Sequence, residues 1–259
     1  MEAATIAAAL ASGAIIGFVL GLVGGGGSIL AVPLLVYLVG LDSPHAAIGT
    51  AAVAVALNAA AGLAGHARAG NVKWNCALVF AASGMIGAAL GAEAGKAMNG
   101  EALLAAFGAL MIVVGILMLR GRKGGSNPGV HLDASSARHL LPRLVGYGLA
   151  VGLLAGFFGI GGGFLIVPGL IAATAMPIGV AVGTSLLVVT ALGATTAASY
   201  ALSGYVDWAL IVWLVAGGIA GSVLGRLAGS RLAARKALLE RGFAAVVIAV
   251  GVFVAATSA

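Results

Sequence analysis

Between residues 4 and 257 the chain is a succession of ten apolar stretches, approximately 4–22, 28–40, 46–66, 74–95, 102–119, 144–159, 164–175, 179–201, 208–225 and 242–257. Together they hold one formally charged side chain, Glu93. Of the 259 residues, 62% are hydrophobic and 8% charged, whereas a soluble domain spends about a quarter of its residues on charge. A chain this apolar cannot cover its own surface with polar groups. Most of the stretches are close to the ~20 residues with which an α-helix crosses a bilayer. The expected fold class is all-α, a polytopic membrane protein.

Two stretches, 28–40 and 164–175, are too short to cross as full helices, and they share a context. Residues 21–33 read GLVGGGGSILAVP and residues 156–168 read GFFGIGGGFLIVP: a glycine cluster, then a short apolar run that contains a proline, Pro33 or Pro168. The match extends through both halves. At an offset of 135, Gly17, Gly21, Gly24, Gly26, Gly27, Leu30, Val32 and Pro33 meet Gly152, Gly156, Gly159, Gly161, Gly162, Leu165, Val167 and Pro168. At an offset of 134, Gly49-Thr50 meets Gly183-Thr184, GNVKW at residues 70–74 meets GYVDW at 204–208, and Gly84, Gly87 and Gly91 meet Gly218, Gly221 and Gly225. The chain therefore reads as a first repeat, residues 1–119, a second, residues 140–259, and a polar Gly/Ser/Asn/Pro-bearing linker, residues 120–139.

The basic residues orient the spans. If every stretch crosses, with both termini outside, twelve of the thirteen Lys and Arg residues fall on the inner side and only Lys96 falls outside. If the two short stretches dip in and return, the best division is seven against six. The positive-inside rule selects crossing. Five crossings per half is odd, so the halves are expected to be inverted relative to each other, with the linker cytoplasmic in the plasma membrane. Reach allows it, because a short helix rising about 1.5 Å per residue plus a few extended residues spans the ~30 Å hydrocarbon core.

Non-helical backbone at membrane depth survives only when buried in protein or lining a wet cavity. Glycine permits irregular dihedrals and close approach of a ligand to the backbone, and the helix that follows a break directs its first N–H groups, with their partial positive charge, back towards it. Two such breaks in inverted halves are expected to converge near the midplane on an anion, as in a carrier with discontinuous helices. Gly17, Gly21, Gly84, Gly87 and Gly91 instead have the spacing of close helix packing.

These motifs, with the AIGTA/AVGTS pair and the H-x-R-x-G-N-V-K-W stretch, resemble the TauE/SafE family of membrane permeases, the sulfite exporters, over nearly the whole chain. The resemblance implies transport of a small anion, often sulfur-containing: sulfite, a sulfonate or sulfoacetate. The substrate-binding candidates are Gly24, Gly25, Gly26, Gly27, Ser28, Gly159, Gly161, Gly162 and Gly163 at the breaks. Thr50, Thr184 and Ser185 join them as hydroxyl donors, and Asn58 as an intramembrane amide that is costly unless paired. Thr190, Thr195 and Thr196 are its loose counterparts in the second half. His66 and Arg68 close a helix as a gate or an anchor.

Other chemistry finds little support. No Walker A, GxSxG or DxDxDG motif is present, and the four scattered histidines lack metal-ligand spacing. Catalysis would need intramembrane His, Asp, Glu or Lys, which are nearly absent, so an enzyme or assembly subunit is the weaker alternative and an anion channel of the same fold the nearer one. The lone Cys76 allows no intrachain disulfide. The net charge of +6 lies between the spans and reads as loop anchoring rather than nucleic-acid binding. The N-terminus has no basic n-region and reads as a first span. Expected partners are the small anion, the bilayer and, for coupled transport, an ion or proton; no cofactor is expected.

Overall fold

The computed structural model describes residues 3–23, 25–120, 129–130, 132–133, 136–159, 163–231 and 236–258, and all regular structure among them is helical. In chain order these are α1 (Ala3–Val23), a 3-10 turn (Gly25–Leu30), α2 (Ala31–Pro33), a π-turn (Leu34–Leu38), α3 (Pro44–Arg68), α4 (Trp74–Lys96), α5 (Gly100–Leu119), α6 (Ala137–Phe157), α7 (Gly163–Thr174), α8 (Ile178–Leu202), α9 (Trp208–Arg231) and α10 (Lys236–Thr257). Seven helices among the described residues are long and apolar enough to cross a membrane. Local chemistry sets several starts. Ser43 caps α3 ahead of Pro44 by accepting from Ala46 N–H, Asn99 caps α5 by accepting from Glu101 N–H, and the Asp207 carboxylate caps α9 by accepting from the N–H groups of Ala209 and Leu210.

The polarity of the bundle suits lipid. Leu78, Ile86, Leu90 and Val212 are more than half exposed, while the interior is rich in alanine and glycine. Trp74 and Trp208 begin α4 and α9 and are exposed, as membrane-interface residues are.

The packing repeats when the halves are exchanged. α1 lies on α9 as α6 lies on α4, α3 and α8 pair with each other, and so do α5 and α10. The sequence offsets reappear as contacts. Gly17 packs on Gly218, and its equivalent Gly152 packs on Gly84. Gly21 packs on Ser222 as Gly156 does on Ala88, and Gly13 on Leu214 as Gly148 does on Phe80. At Gly17 and Gly152 an added Cβ would strike the facing carbonyl oxygen, so the helices touch backbone to backbone, as small residues allow.

Directions follow from the same contacts. Successive partners ascend together along α1 and α9 and along α4 and α6, so those pairs are parallel. The α3–α8 pair is antiparallel, since Thr50 near the start of α3 meets the segment after α8, and Thr184 near the start of α8 meets the segment after α3. The α5–α10 pair is also antiparallel, since Gly108 faces Gly251 and Ala255 whereas Gly115 faces Ala244 and Ile248.

The two short stretches differ in kind. The expectation of a helix over 164–175 is met by α7, which carries Pro168 within it. Over 28–40 the chain is helical but not uniformly α: a 3-10 turn, a single α turn and a π-turn succeed one another. Pro33 has no N–H to donate and presses its ring on the preceding turn. Beyond it the register widens, with Val39 N–H reaching back to the Leu34 carbonyl at 3.0 Å.

Candidate substrate site

Gly24, Gly161 and Gly162 lie outside the described residues. Around them α1 ends at Val23, the 3-10 turn opens on Gly25 and Gly26, α6 ends at Phe157, and α7 begins at the buried Gly163. The 3-10 turn occupies the centre of the bundle, touching α1, α3, α7 and α8. Within it a Cβ at Gly27 would lie 2.5 Å from the Ile16 carbonyl oxygen and 2.6 Å from Leu20 N. The returning chain therefore lies directly on the backbone of α1. Ser28, Ile29 and Ala31 that follow are wholly buried. In the second half Gly159 has φ +64, and a Cβ there would strike the Ile48 side chain; both conformation and space exclude a side chain.

Asn58 lies on α3 and is 2% exposed. Its Oδ1 has no hydrogen-bond partner, and its carboxamide fills the space that a Cβ at Gly218 would need. Gly218 in turn rests on Gly17, next to the Ile16 that holds Gly27. One continuous line of contacts thus joins Asn58 to the first break. The equivalent position in α8 is Leu192, whose Cδ1 would lie 2.8 Å from a Cβ at Gly84. The counterparts expected for Asn58 are therefore replaced by Leu192. Thr190 and Thr195 donate to carbonyls one turn back, at 2.8 and 2.9 Å, and the buried Thr196 hydroxyl has no partner. The amide has no polar twin because the second half keeps the shape and drops the chemistry.

The paired threonines sit elsewhere. Thr50 Oγ1 accepts from Asp207 N–H and Thr184 Oγ1 from Lys73 N–H, each at 3.0 Å. Gly49 and Gly183 pack beneath the carbonyls of Tyr205 and Asn71. The two hydroxyls therefore secure the connections at opposite ends of the α3–α8 pair and do not meet. Ser185 donates to the Val182 carbonyl at 2.8 Å.

His66 and Arg68 occupy the last turn of α3. His66 is partly buried with Nδ1 unpartnered, and Arg68 is exposed. The equivalent of His66 is Tyr200, fully buried with its hydroxyl also unpartnered. At the same end as Tyr200, Glu93 pairs with Lys96 at 2.7 Å and accepts from Ser199, while Lys96 donates to Ser203. A cavity of about 310 Å³ opens at the α3–α4 corner, lined by Lys73, Trp74, Asn75, Cys76 and Leu132, away from the breaks. Sequence reasoning passed over Arg226, whose Nη1 would lie 2.6 Å from a Cβ at Gly65. The glycine just before His66 was the available signal.

A bundle with lipid-facing Leu, Ile and Val, duplicated packing and an irregular turn at its centre is a polytopic membrane protein built as transporters are. The chain belongs to the sulfite exporter TauE/SafE family, whose model matches residues 9–254, and it is a membrane transporter of that family. It is 48% identical over 245 residues to a probable membrane transporter protein of Xylella fastidiosa (strain Temecula1 / ATCC 700964), covering 95% of this chain and 93% of that one. To the probable membrane transporter protein YunE of Bacillus subtilis (strain 168) it is 30% identical over 230 residues, covering 82% and 84%. A probable membrane transporter protein of Haemophilus influenzae is 27% identical over 261 residues, covering 93% and 94%. No solved structure matches the chain significantly.

Proposed function

We propose that the chain is a permease that moves a small sulfur-containing anion, such as sulfite, a sulfonate or sulfoacetate, across the bacterial inner membrane by alternating access, without enzymatic chemistry. One observation carries the reading: an irregular turn, Gly25–Leu30, lies among α1, α3, α7 and α8, joined by packing to the unpartnered carboxamide of Asn58. Backbone N–H groups at the breaks supply fixed donors to an anion in a medium that strengthens each hydrogen bond. The proposed site comprises Gly24–Gly27, Ser28, Asn58, Gly159 and Gly161–Gly163. Thr50, Thr184 and Ser185 support it from the ends of α3 and α8.

Residues 1–119 and 140–259 act as inverted repeats joined by the cytoplasmic linker 120–139, with both termini outside. Two independent arguments support this arrangement. The basic residues divide twelve to one. The antiparallel α3–α8 and α5–α10 pairs also suit five crossings per half, whereas two re-entrant segments would make both pairs parallel. An impermeant thiol reagent applied to cells bearing Ser258→Cys or Ser126→Cys in a Cys76→Ser background is expected to label the first and spare the second.

The transport reading is tested with the purified chain in proteoliposomes. Sulfite uptake is expected to saturate and to accelerate when sulfite is preloaded inside. Flux that rises linearly with concentration and ignores preloading would make the protein a channel. No flux of sulfite, sulfate, sulfonates or carboxylates would refute anion transport.

A further inference from the structure

Most of the basic residues are explained as anchors that keep their loops on one side of the bilayer. Arg226 is placed differently. It projects from α9 onto α3, and its Nη1 would be 2.6 Å from a Cβ at Gly65, so the guanidinium rests on bare helix backbone. No carboxylate pairs with it among the described residues, where the one ion pair is Glu93–Lys96. Arg226 remains exposed, and its planar fork of donors is open to a partner. The residue after Gly65 is His66, whose Nδ1 is buried and also lacks a partner. The same end of the molecule carries Lys73 and the 310 Å³ cavity that it helps to line.

The opposite end provides an internal control. At the positions equivalent to His66, Arg68, Lys73 and Arg226 stand Tyr200, Leu202, Asp207 and Ala92. The cation that end does possess, Lys96, is neutralised by Glu93 at 2.7 Å. The duplicated fold does not require the difference, because the helices pack alike at both ends.

We propose that Arg226 and His66 form an anion-capture site at the α3–α4 end of the bundle. The class of ligand is a small oxyanion, which a guanidinium grips through two parallel N–H bonds. This rests on the permease reading above and assigns the mouth at which its substrate is first held. Arg226 acts by binding, not by chemistry on the substrate.

The test uses the full-length chain in right-side-out and inside-out membrane vesicles, with sulfite as the probe. The wild-type KM is expected to be lower from the Arg226 face, and to rise with ionic strength on that face. Arg226→Gln should raise KM there about tenfold, the loss of one charge-assisted contact, and remove most of the salt dependence. Arg226→Lys, which keeps the charge but loses the fork, should fall between. Gly65→Leu pushes the guanidinium off α3 without removing it and should reproduce most of the rise. Arg120→Gln, exposed at the end of α5, should change nothing. A KM for Arg226→Gln within about twofold of wild type on both faces, smaller than the effect of one lost hydrogen bond, would overturn the proposal. So would an equal rise in Arg120→Gln, which would reveal a general surface potential. If the wild-type protein carries no sulfite from either face, the permease reading fails first and this site falls with it.

Discussion

The seams α1–α9 and α4–α6 and the central α3–α8 pair have kept different things since the halves were duplicated. Along the seams the backbone contact is preserved position by position: Gly17 on Gly218 and Gly152 on Gly84, Gly21 on Ser222 and Gly156 on Ala88. Across α3 and α8 the frame is kept, with both threonines bonded to the same point of the opposite connection. The side chains between have diverged. Asn58 stands against Leu192 and His66 against Tyr200, and these polar groups, unlike the threonines, lack partners. Repeated features are those the shape depends on, and unrepeated polar ones are those the shape can do without. That division separates the framework of this transporter from its chemistry.

Breaking a seam should have the largest effect. Gly17→Val or Gly152→Val drives a branched side chain into a backbone carbonyl, and each should destabilise by about 3 kcal/mol or more. Thermal unfolding in detergent and the yield of inserted protein would register the loss, and the two variants should match.

Asn58→Leu sharpens the contrast by giving α3 the residue that α8 already carries. It removes a buried acceptor that nothing satisfies, so the fold should hold or gain stability. Sulfite affinity should fall about tenfold, the equivalent of one hydrogen bond of roughly 1.4 kcal/mol. The reverse exchange, Leu192→Asn, should destabilise and confer no affinity.

Thr50→Val and Thr184→Val test the preserved frame. Each removes the acceptor for one backbone N–H and should cost about 1 kcal/mol. Near-equal shifts in melting temperature are expected; a loss confined to one would mean that the two hydroxyls differ in role.

The smallest effect lies at the ends of the short helices. Gly40 has φ +80, while its equivalent Ala175 is a non-glycine residue at φ +56. Ala175→Gly should stabilise by up to about 1 kcal/mol and Gly40→Ala should destabilise by about as much, both read from unfolding midpoints.

Much of the framework could be read from the sequence, because a duplicated chain states its own equivalences. The offsets of 135 and 134 predicted which residues correspond, and the packing glycines were recognisable from spacing. Their partners were not, since whether Gly17 meets Gly218 depends on how separate halves dock. The same distance concealed the role of Thr50. A hydroxyl near a helix start looks like an anion donor until a backbone amide 157 residues away is seen to occupy it. The mixed 3-10, α and π turns of residues 25–38 were hidden for another reason. Hydrophobicity records which segments are buried, and it is nearly blind to whether hydrogen bonds reach back three, four or five residues. Arg226 was legible only as a charge on one side of the membrane; its contact with Gly65 appears once α3 and α9 are packed.

The central claim is that the glycine breaks bind the substrate. It is tested most directly by sulfite affinity in detergent, wild type against Gly26→Val and Gly161→Val. Valine blocks positive φ and crowds the backbone, and a lost backbone contact to an anion is worth about 1.5–3 kcal/mol. Both variants should insert and melt as folded proteins, yet bind sulfite at least about a hundredfold more weakly, each 1.4 kcal/mol being tenfold. Folded variants that bind sulfite like the wild type would contradict the account: the clusters would serve packing alone, and the anion would be held elsewhere.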